Sequence, residues 1–331
     1  MRVLILGGGG MIGQKLIHEL AKNPQINGQS ITEVTLVDAF IEPKIPENSK
    51  FPITSLIADI TNKETCKKLI EKKPKLIFHL AAIVSGEAES NFEKGYSVNL
   101  DGTRNLFEAV RATGNYHPRL VYTSTAAVYG GPYPADVDDD FILQPSTSYG
   151  TQKAIGELML NDYSRRGFFD GIGLRLPTIC VRPGKPNAAA SGVFSNIIRE
   201  PLVGIETTLS VSKDVSMIFA SPKSAVGFLI HAAKVDTSSL GTQRSMIMPG
   251  VHATIADEIA ALGRVAGDKV VSYIKEAHDP FAQKMVEAWN FPAFPAARAR
   301  SLGFTCEKTF DELIRLHIDT ELHGEIPGQK S

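Results

Sequence analysis

Two clusters of residues in this chain have the types and spacing that chemistry needs. The first is Tyr149-Gly-Thr-Gln-Lys153, a phenol and an ammonium that share one face if the segment is helical. A phenol with a pKa of ~10 is a poor base at neutral pH, and a neighbouring ammonium favours its phenolate. Upstream, Thr123-Ser124-Thr125 ends a β-branched run and offers a hydroxyl beside that tyrosine. Together these groups could move a proton on or off an alcohol oxygen. The second cluster is Gly7-Gly8-Gly9-Gly10-Met11-Ile12-Gly13, which fits both G-x-G-x-x-G and G-x-x-G-x-x-G. Glycines there allow a tight turn and let a diphosphate reach free N–H groups at the positive end of the following helix.

Such groups work only on a scaffold that positions them, and the elements around them alternate. Residues 3–6 read as a buried strand, and the glycines lead into a helix at 11–22 that ends at Asn23-Pro24. Strands follow at 34–37, closing on Asp38, and at 53–57, closing on Asp59. A lysine-rich helix at 62–73, a strand at 76–80, a long helix at 91–112 and a strand at 119–123 come next. A second long helix at 148–165 leads to a strand at 171–176. This rhythm predicts right-handed crossovers and an α/β fold, a Rossmann-type doubly wound parallel sheet with a smaller C-terminal substrate-binding part. We divide the chain into a dinucleotide-binding region at 1–180 and a mainly substrate-binding region at 181–331. Within the latter, a strand and helix at 215–235 return to the large sheet, and 181–190 form a loop over its carboxyl edge.

In that scaffold the glycine run becomes a dinucleotide fingerprint, because it follows a strand, opens a helix and is succeeded by a strand ending in an acid. Asp38 reads as the acceptor for both adenosine-ribose hydroxyls, which makes it repel a 2′-phosphate, so NAD is expected rather than NADP. A loop at 23–30 accounts for its long separation from Gly13. Asp59 and Ile60 are placed to meet the adenine amino group and ring.

The sequence at this point resembles the extended short-chain dehydrogenase/reductases, the family of NAD-dependent epimerases and dehydratases. The matching residues are Gly7, Gly10 and Gly13; Asp59-Ile60; His79-Leu80-Ala81-Ala82; Val98-Asn99; Thr125-Ala-Ala-Val-Tyr-Gly130; and Tyr149-Gly150 with Lys153 and Glu157. By that resemblance Tyr149 is the acid/base, Lys153 binds the nicotinamide ribose and lowers the tyrosine pKa, and Thr125 holds the reacting oxygen, with Ser124 as the alternative. Met11 and Ile12 belong to the diphosphate turn. Leu80, Ala81, Ala82 and Asn99 line the cofactor groove, and Pro177 and Thr178 meet the nicotinamide amide. The two long helices resemble the pair that builds the family's dimer interface, which implies a homodimer.

One position departs from the pattern. Nucleotide-sugar epimerases carry an asparagine soon after the Leu-Arg of the sixth strand, whereas Leu174-Arg175-Leu176-Pro177-Thr178 has threonine there. The next segment, Val181-Arg182-Pro183-Gly184-Lys185-Pro186-Asn187 with 188–192 and 197–202, is similar to the branch of the family that oxidises C2 of a four-carbon sugar acid, D-erythronate. Ser85-Gly86-Glu87 adds to that likeness. A small sugar acid needs a cation for its carboxylate and hydroxyl partners for its alcohols. Arg182, favoured over Arg199, is the candidate clamp, since a guanidinium binds carboxylate through two parallel hydrogen bonds. Ser85 and Ser191 are candidate hydroxyl contacts, with Thr125 and Tyr149 at the reacting carbon. Arg175, inside a strand, and His79, at a strand end, read as structural. Two rivals stand beside the dehydrogenase: a nucleotide-sugar epimerase, which would return its hydride, and a non-catalytic NAD-binding regulator, against which an intact Tyr149 and Lys153 count.

Composition narrows the setting. The 331 residues carry 35 basic and 36 acidic side chains, a net charge of −1, which argues against nucleic-acid or anionic-membrane binding. No stretch is apolar enough to span a membrane, and no targeting signal precedes the first strand, so the cytoplasm is expected. Three scattered cysteines show neither a disulfide framework nor a metal-ligand spacing, and no metal is expected. The acidic run at 136–140 reads as a solvated loop.

Overall fold

The structure, a computed structural model, describes residues 1–184, 191–287 and 290–330. β1 (Arg2–Leu6) is buried from its second residue onward, as an unbroken apolar run in a parallel sheet must be. The chain then turns through the glycines into α1 (Met11–Lys22). The expected loop at 23–30 is instead a small hairpin, β2 (Gln25–Ile26) and β3 (Gln29–Ser30), turned by Asn27 and Gly28. β4 (Glu33–Asp38) and β5 (Ile53–Ile57) lead to α2 (Lys63–Glu71), whose N-cap Asn62 accepts from the Glu64 and Thr65 N–H groups. β6 (Leu76–His79) is wholly buried.

The long helix expected at 91–112 is wound in three ways. A separate helix, α3 (Ser85–Ser90), precedes α4 (Phe92–Gly95), which passes into a π-helical stretch, Tyr96–Gly102, and then α5 (Thr103–Ala112). β7 (Arg119–Thr125), α6 (Ser148–Arg165) and β8 (Asp170–Leu176) complete the alternation. Next come β9 (Thr178–Ile179), α7 (Gly192–Leu202), β10 (Thr207–Leu209), β11 (Ser216–Ala220), α8 (Pro222–Ala232), β12 (Ser245–Ile247) and β13 (Val251–Thr254). α9 (Ile255–Ala266), α10 (Asp268–Val271), β14 (Ile274–Glu276), α11 (Pro280–Glu287), α12 (Ala297–Ser301), α13 (Phe310–Glu321) and α14 (Pro327–Lys330) follow.

The large sheet has seven strands in the order β12-β8-β7-β6-β1-β4-β5. The pairs from β8 through β5 are all parallel, and the order reverses between β1 and β6. Ligands of open α/β sheets bind in the crevice at the carboxyl ends of the strands beside such a switch point. Leu4, Leu6, Ile77, Leu106, Phe107, Tyr122, Leu160 and Phe169 form one apolar cluster beneath it, and emptying a buried ring such as Phe107 would cost ~3–5 kcal/mol.

Two compact units result. One comprises residues 1–128, 147–176 and 225–246, and the other 129–146, 177–224 and the chain from 247. The strand expected to rejoin the large sheet near 215 does not do so. β11 pairs with β9 and β13 in a three-stranded sheet of the second unit, and the strand that reaches the large sheet is β12. Residues 185–190 of the expected loop lie outside the described residues. The acidic run is exposed at Asp136, Asp138 and Asp140, but Val137 is buried and Asp139 accepts from the Ile247 N–H at 2.6 Å.

Candidate active site

The glycine turn is built by close packing. Gly7 sits at φ +84°, and a Cβ there would fall 2.7 Å from the Ala81 nitrogen. A Cβ on Gly13 would fall 2.3 Å from the Gly7 carbonyl, so the helix can start this close to β1 only with glycine at both ends of the turn. The side chain of Gln14 braces the turn by donating to the Gly8 carbonyl at 2.7 Å. Gly10 caps α1 with no side-chain hydrogen bond, leaving the first-turn N–H groups available to an anion. These features fit the diphosphate of a dinucleotide.

A groove of about 460 Å³ opens from this turn, lined by Gly7, Gly10, Asp38, Asp59, Ile60 and the stretch from Leu80 to Val84. Asp38 accepts from three backbone N–H groups: Gly9 at 3.1 Å, Phe40 at 3.0 Å and Ile41 at 3.2 Å. The carboxylate therefore shapes its own loop as well as facing the groove. Asp59 caps its turn through the Thr61 N–H at 2.8 Å, and Ile60 is nearly buried in the core. Asn99 does not line this groove. It is buried in the π-helical stretch, where its side chain bonds both the N–H and the carbonyl of Ile83 and the side chain of Gln152. Its role is to fix the chain after β6, and its neighbour Val98 is the residue that reaches the groove. Phe40 and Lys94 also line it and escaped the sequence reading. An apolar pair, Phe40-Ile41, two residues after a strand-ending acid was the available signal.

The residues expected to transfer the proton lie on α6 and β7. Thr147 caps α6 by accepting from the Gly150 N–H at 3.1 Å, and the Glu89 carboxylate of α3 accepts from the Ser148 N–H at 3.0 Å, so the first turn carrying Tyr149 is held from two sides. Ser85 begins that same buttressing helix. Lys153 is buried; its Nζ donates to the Thr123 carbonyl at 2.8 Å and lies 5.9 Å from the Tyr149 ring centroid. Burial brings its pKa down to about 7, against the pull of Glu157 one turn on. Burial also pushes the Tyr149 phenol up to about 12. In the protein by itself, desolvation of the buried phenol therefore favours its neutral form.

Thr125 ends β7 half-buried, its Oγ1 accepting from the Ala127 N–H at 3.1 Å. Ser124 is not available as its substitute. Its hydroxyl is buried and donates to Glu157, which in turn takes Arg175 through paired contacts of 3.1 and 2.9 Å. This buried Ser124–Glu157–Arg175 network ties β7, α6 and β8 together. His79 is likewise packed, its Nε2 at 2.9 Å from the Thr103 hydroxyl, and burial drives its pKa down to about 3.

In the second unit, Thr178 lies in β9, beside Phe219 of β11. Arg182 reaches the Ser191 hydroxyl at 3.2 Å, and its own N–H donates to Ser195 at 3.1 Å. No carboxylate pairs with Arg182 among the described residues. Arg199 is committed, donating to the Arg182 carbonyl at 2.8 Å and bound to Asn196 and Glu200. Of the two arginines, Arg182 is the one whose guanidinium pairs with no acid among the described residues. Among the described residues no group of His, Cys, Asp and Glu could hold a metal ion, and no helix is long and apolar enough to cross a membrane.

A doubly wound sheet, a glycine turn feeding an adenosine-sized groove and a Tyr–Lys pair beside a strand-end threonine together define a dinucleotide-dependent enzyme of the short-chain dehydrogenase/reductase class. The chain belongs to the NAD dependent epimerase/dehydratase family, which it matches over residues 3–217. It is 42% identical to a D-erythronate dehydrogenase of Cupriavidus necator over 96% of this chain and 98% of the relative. A D-erythronate dehydrogenase of Haemophilus influenzae is 35% identical over 97% of this chain and the whole of the relative. A crystal structure described as a nucleoside-diphosphate-sugar epimerase from Agrobacterium tumefaciens matches with a TM-score of 0.95 and 51% identity, covering 98% of this chain and 96% of that one.

Proposed function

We propose that the protein is an NAD-dependent dehydrogenase that oxidises C2 of D-erythronate to 2-oxo-erythronate. The observation that carries this reading is the near full-length likeness to two D-erythronate dehydrogenases in a chain that has Tyr149 and Lys153 on one helix packed against the strand that ends in Thr125. NAD would be held by Gly7, Gly10, Met11, Ile12 and Gly13 at its diphosphate, by Asp38 at the adenosine ribose and by Asp59 and Ile60 at the adenine. Leu80, Ala81 and Ala82 would form the groove floor, Lys153 would hold the nicotinamide ribose, and Pro177 and Thr178 would meet the amide. Bound NAD would supply the hydride acceptor and a positive charge that favours the phenolate.

The protein's own part is to handle the proton and the carboxylate. Tyr149 takes the proton of the C2 hydroxyl, Thr125 holds that oxygen in place, and Lys153 stabilises the resulting charge. Arg182, with Ser191 beside it, takes the substrate carboxylate, and Ser85 is the further hydroxyl contact. Exposed Leu158 on α6 supports assembly as a homodimer through α6 and the stretch 91–112 that holds α4, the π-helical turn and α5.

The test is a panel of four-carbon sugar acids incubated with NAD and read as absorbance of NADH. D-Erythronate is expected to be the best substrate. Interconversion of a nucleotide sugar with no net NADH, and indifference to sugar acids, would instead favour the epimerase reading that the Agrobacterium structure's description suggests.

A further inference from the structure

The mouth of the adenosine groove is crossed by a bridge of side chains. On one lip Phe40, in the loop after β4, is 65% exposed, next to the exposed Ile41. On the other lip Lys94 of α4 places its Nζ 4.7 Å from the centre of that ring and 2.7 Å from the carboxylate of Glu87 on α3. All three residues line the groove, together with Asp38 and Asp59. Among its described lining side chains the groove therefore has three carboxylates and a single cation. A dinucleotide brings a doubly charged diphosphate into that acidic setting, and Lys94 is the side chain that can balance it. Its pairing with Glu87 is loose, since both side chains are over a third exposed, and such pairs exchange readily.

We propose that Phe40 and Lys94 form a latch that closes over the bound dinucleotide, with Lys94 exchanging Glu87 for the cofactor's diphosphate. The inference rests on the NAD reading above and adds to it the two residues that set how tightly and how long the cofactor is held. A charge-assisted bond from ammonium to phosphate is the stronger partner of the two, because the diphosphate is held by the glycine turn while the Glu87 carboxylate stays in contact with water.

The test is calorimetric titration of ADP-ribose and of adenosine into wild type, Lys94→Met, Lys94→Arg and Phe40→Ala at low and high salt. Lys94→Met is expected to weaken ADP-ribose about tenfold or more and to flatten its salt dependence, with adenosine unaffected and Lys94→Arg restoring most of the loss. Phe40→Ala is expected to speed NAD release in stopped-flow displacement with little change in the association rate. Wild-type affinity for ADP-ribose in Lys94→Met, or an equal loss for adenosine and ADP-ribose, would overturn the latch and leave the NAD reading standing. A wild type that binds neither NAD nor ADP-ribose would remove both.

Discussion

Replacing Lys153 with methionine separates a group kept for chemistry from one kept for stability. Burial holds this ammonium at about 7 instead of its ordinary 10.5. At ~1.4 kcal/mol per pH unit, that difference costs the cofactor-free fold ~5 kcal/mol at and below neutral pH. Methionine has a similar reach and no charge, so Lys153→Met removes the cost. It also leaves the Thr123 carbonyl without its 2.8 Å donor, a loss of ~1–3 kcal/mol. The variant is therefore expected to be the more stable protein at pH 7, by ~2–4 kcal/mol, and to melt several degrees higher. The sign follows from proton counting. Between pH ~7 and ~10.5 the unfolded wild type binds a proton that the folded one does not, so wild-type stability climbs with pH. The variant's advantage must shrink across that window, vanish between about pH 8.5 and 10, where the falling cost equals the lost hydrogen bond, and reverse above that. Thermal melts of both proteins from pH 6.5 to 9.5 without cofactor, paired with turnover measurements, give the answer. A variant that is both inactive and stabilised fits a catalytic lysine carried at a cost. If it melted below wild type at every pH, Lys153 would be a support of the fold and the desolvation argument would be wrong.

Tyr149→Phe is expected to abolish turnover while NAD affinity stays near wild type; residual activity above about a hundredth would refute the acid/base role, which contributes ~100- to 10,000-fold. Asp38→Asn keeps an acceptor oxygen for the Phe40 and Ile41 N–H groups while removing the charge, so the ratio of kcat/KM for NAD over NADP should fall about tenfold or more with the loop intact. An unchanged ratio would show that the charge does not select the cofactor. Arg182→Ala should lower kcat/KM for the sugar acid roughly 10- to 150-fold and leave the slow reaction of the matching neutral polyol untouched; equal losses on both would disconnect Arg182 from the carboxylate. Glu258 is buried in α9 with neither carboxylate oxygen hydrogen-bonded among the described residues, and burial raises its pKa well above the usual range. Wild-type stability is then lost as pH rises past the ordinary glutamate value, so Glu258→Gln should gain on wild type steadily between pH 5 and 8, as read by melting temperature. A pH-independent difference would mean that Glu258 is not held protonated.

The strands and helices that carry the site were legible because each has a strong local signal. The run Val3-Leu4-Ile5-Leu6 can only be a buried strand, and the helix from Met11 to Lys22 begins at its glycine cap and stops before Asn23-Pro24. What escaped depends on contacts that no short window contains. The π-helical stretch leaves the apolar spacing of a long helix nearly unchanged, so 91–112 reads as one α-helix. β12 is Ser-Met-Ile, three residues that become a strand only because β8 lies beside them. Asn99 and Ser124 have the chemistry of site residues, and only their partners, Ile83 and Gln152 for one and Glu157 for the other, reveal that their hydrogen bonds are spent holding the scaffold. Lys94 and Phe40 meet across a loop and a helix more than fifty positions apart in sequence, beyond the reach of any local pattern.

The late arrival of β12 has a bearing on how the chain is made. As it leaves the ribosome, the six parallel strands through Leu176 can pair as soon as they appear, but β8 then carries an open edge until the whole of 177–244 has been synthesised. Over that interval Gly173 still lacks the Arg244 carbonyl that will accept its N–H at 3.0 Å, and Asp170 lacks Thr237 and Arg244. An uncovered parallel edge beside a finished apolar core invites pairing with another nascent chain. The unit that holds the glycine turn is therefore not complete at Leu176; it closes only when residues 225–246 have been made, ahead of the chain from 247. Its last strand arrives only after residues 177–224 of the other unit have been made, and a chain cut short before residue 245 keeps the β8 edge of its sheet open to whatever strand comes next.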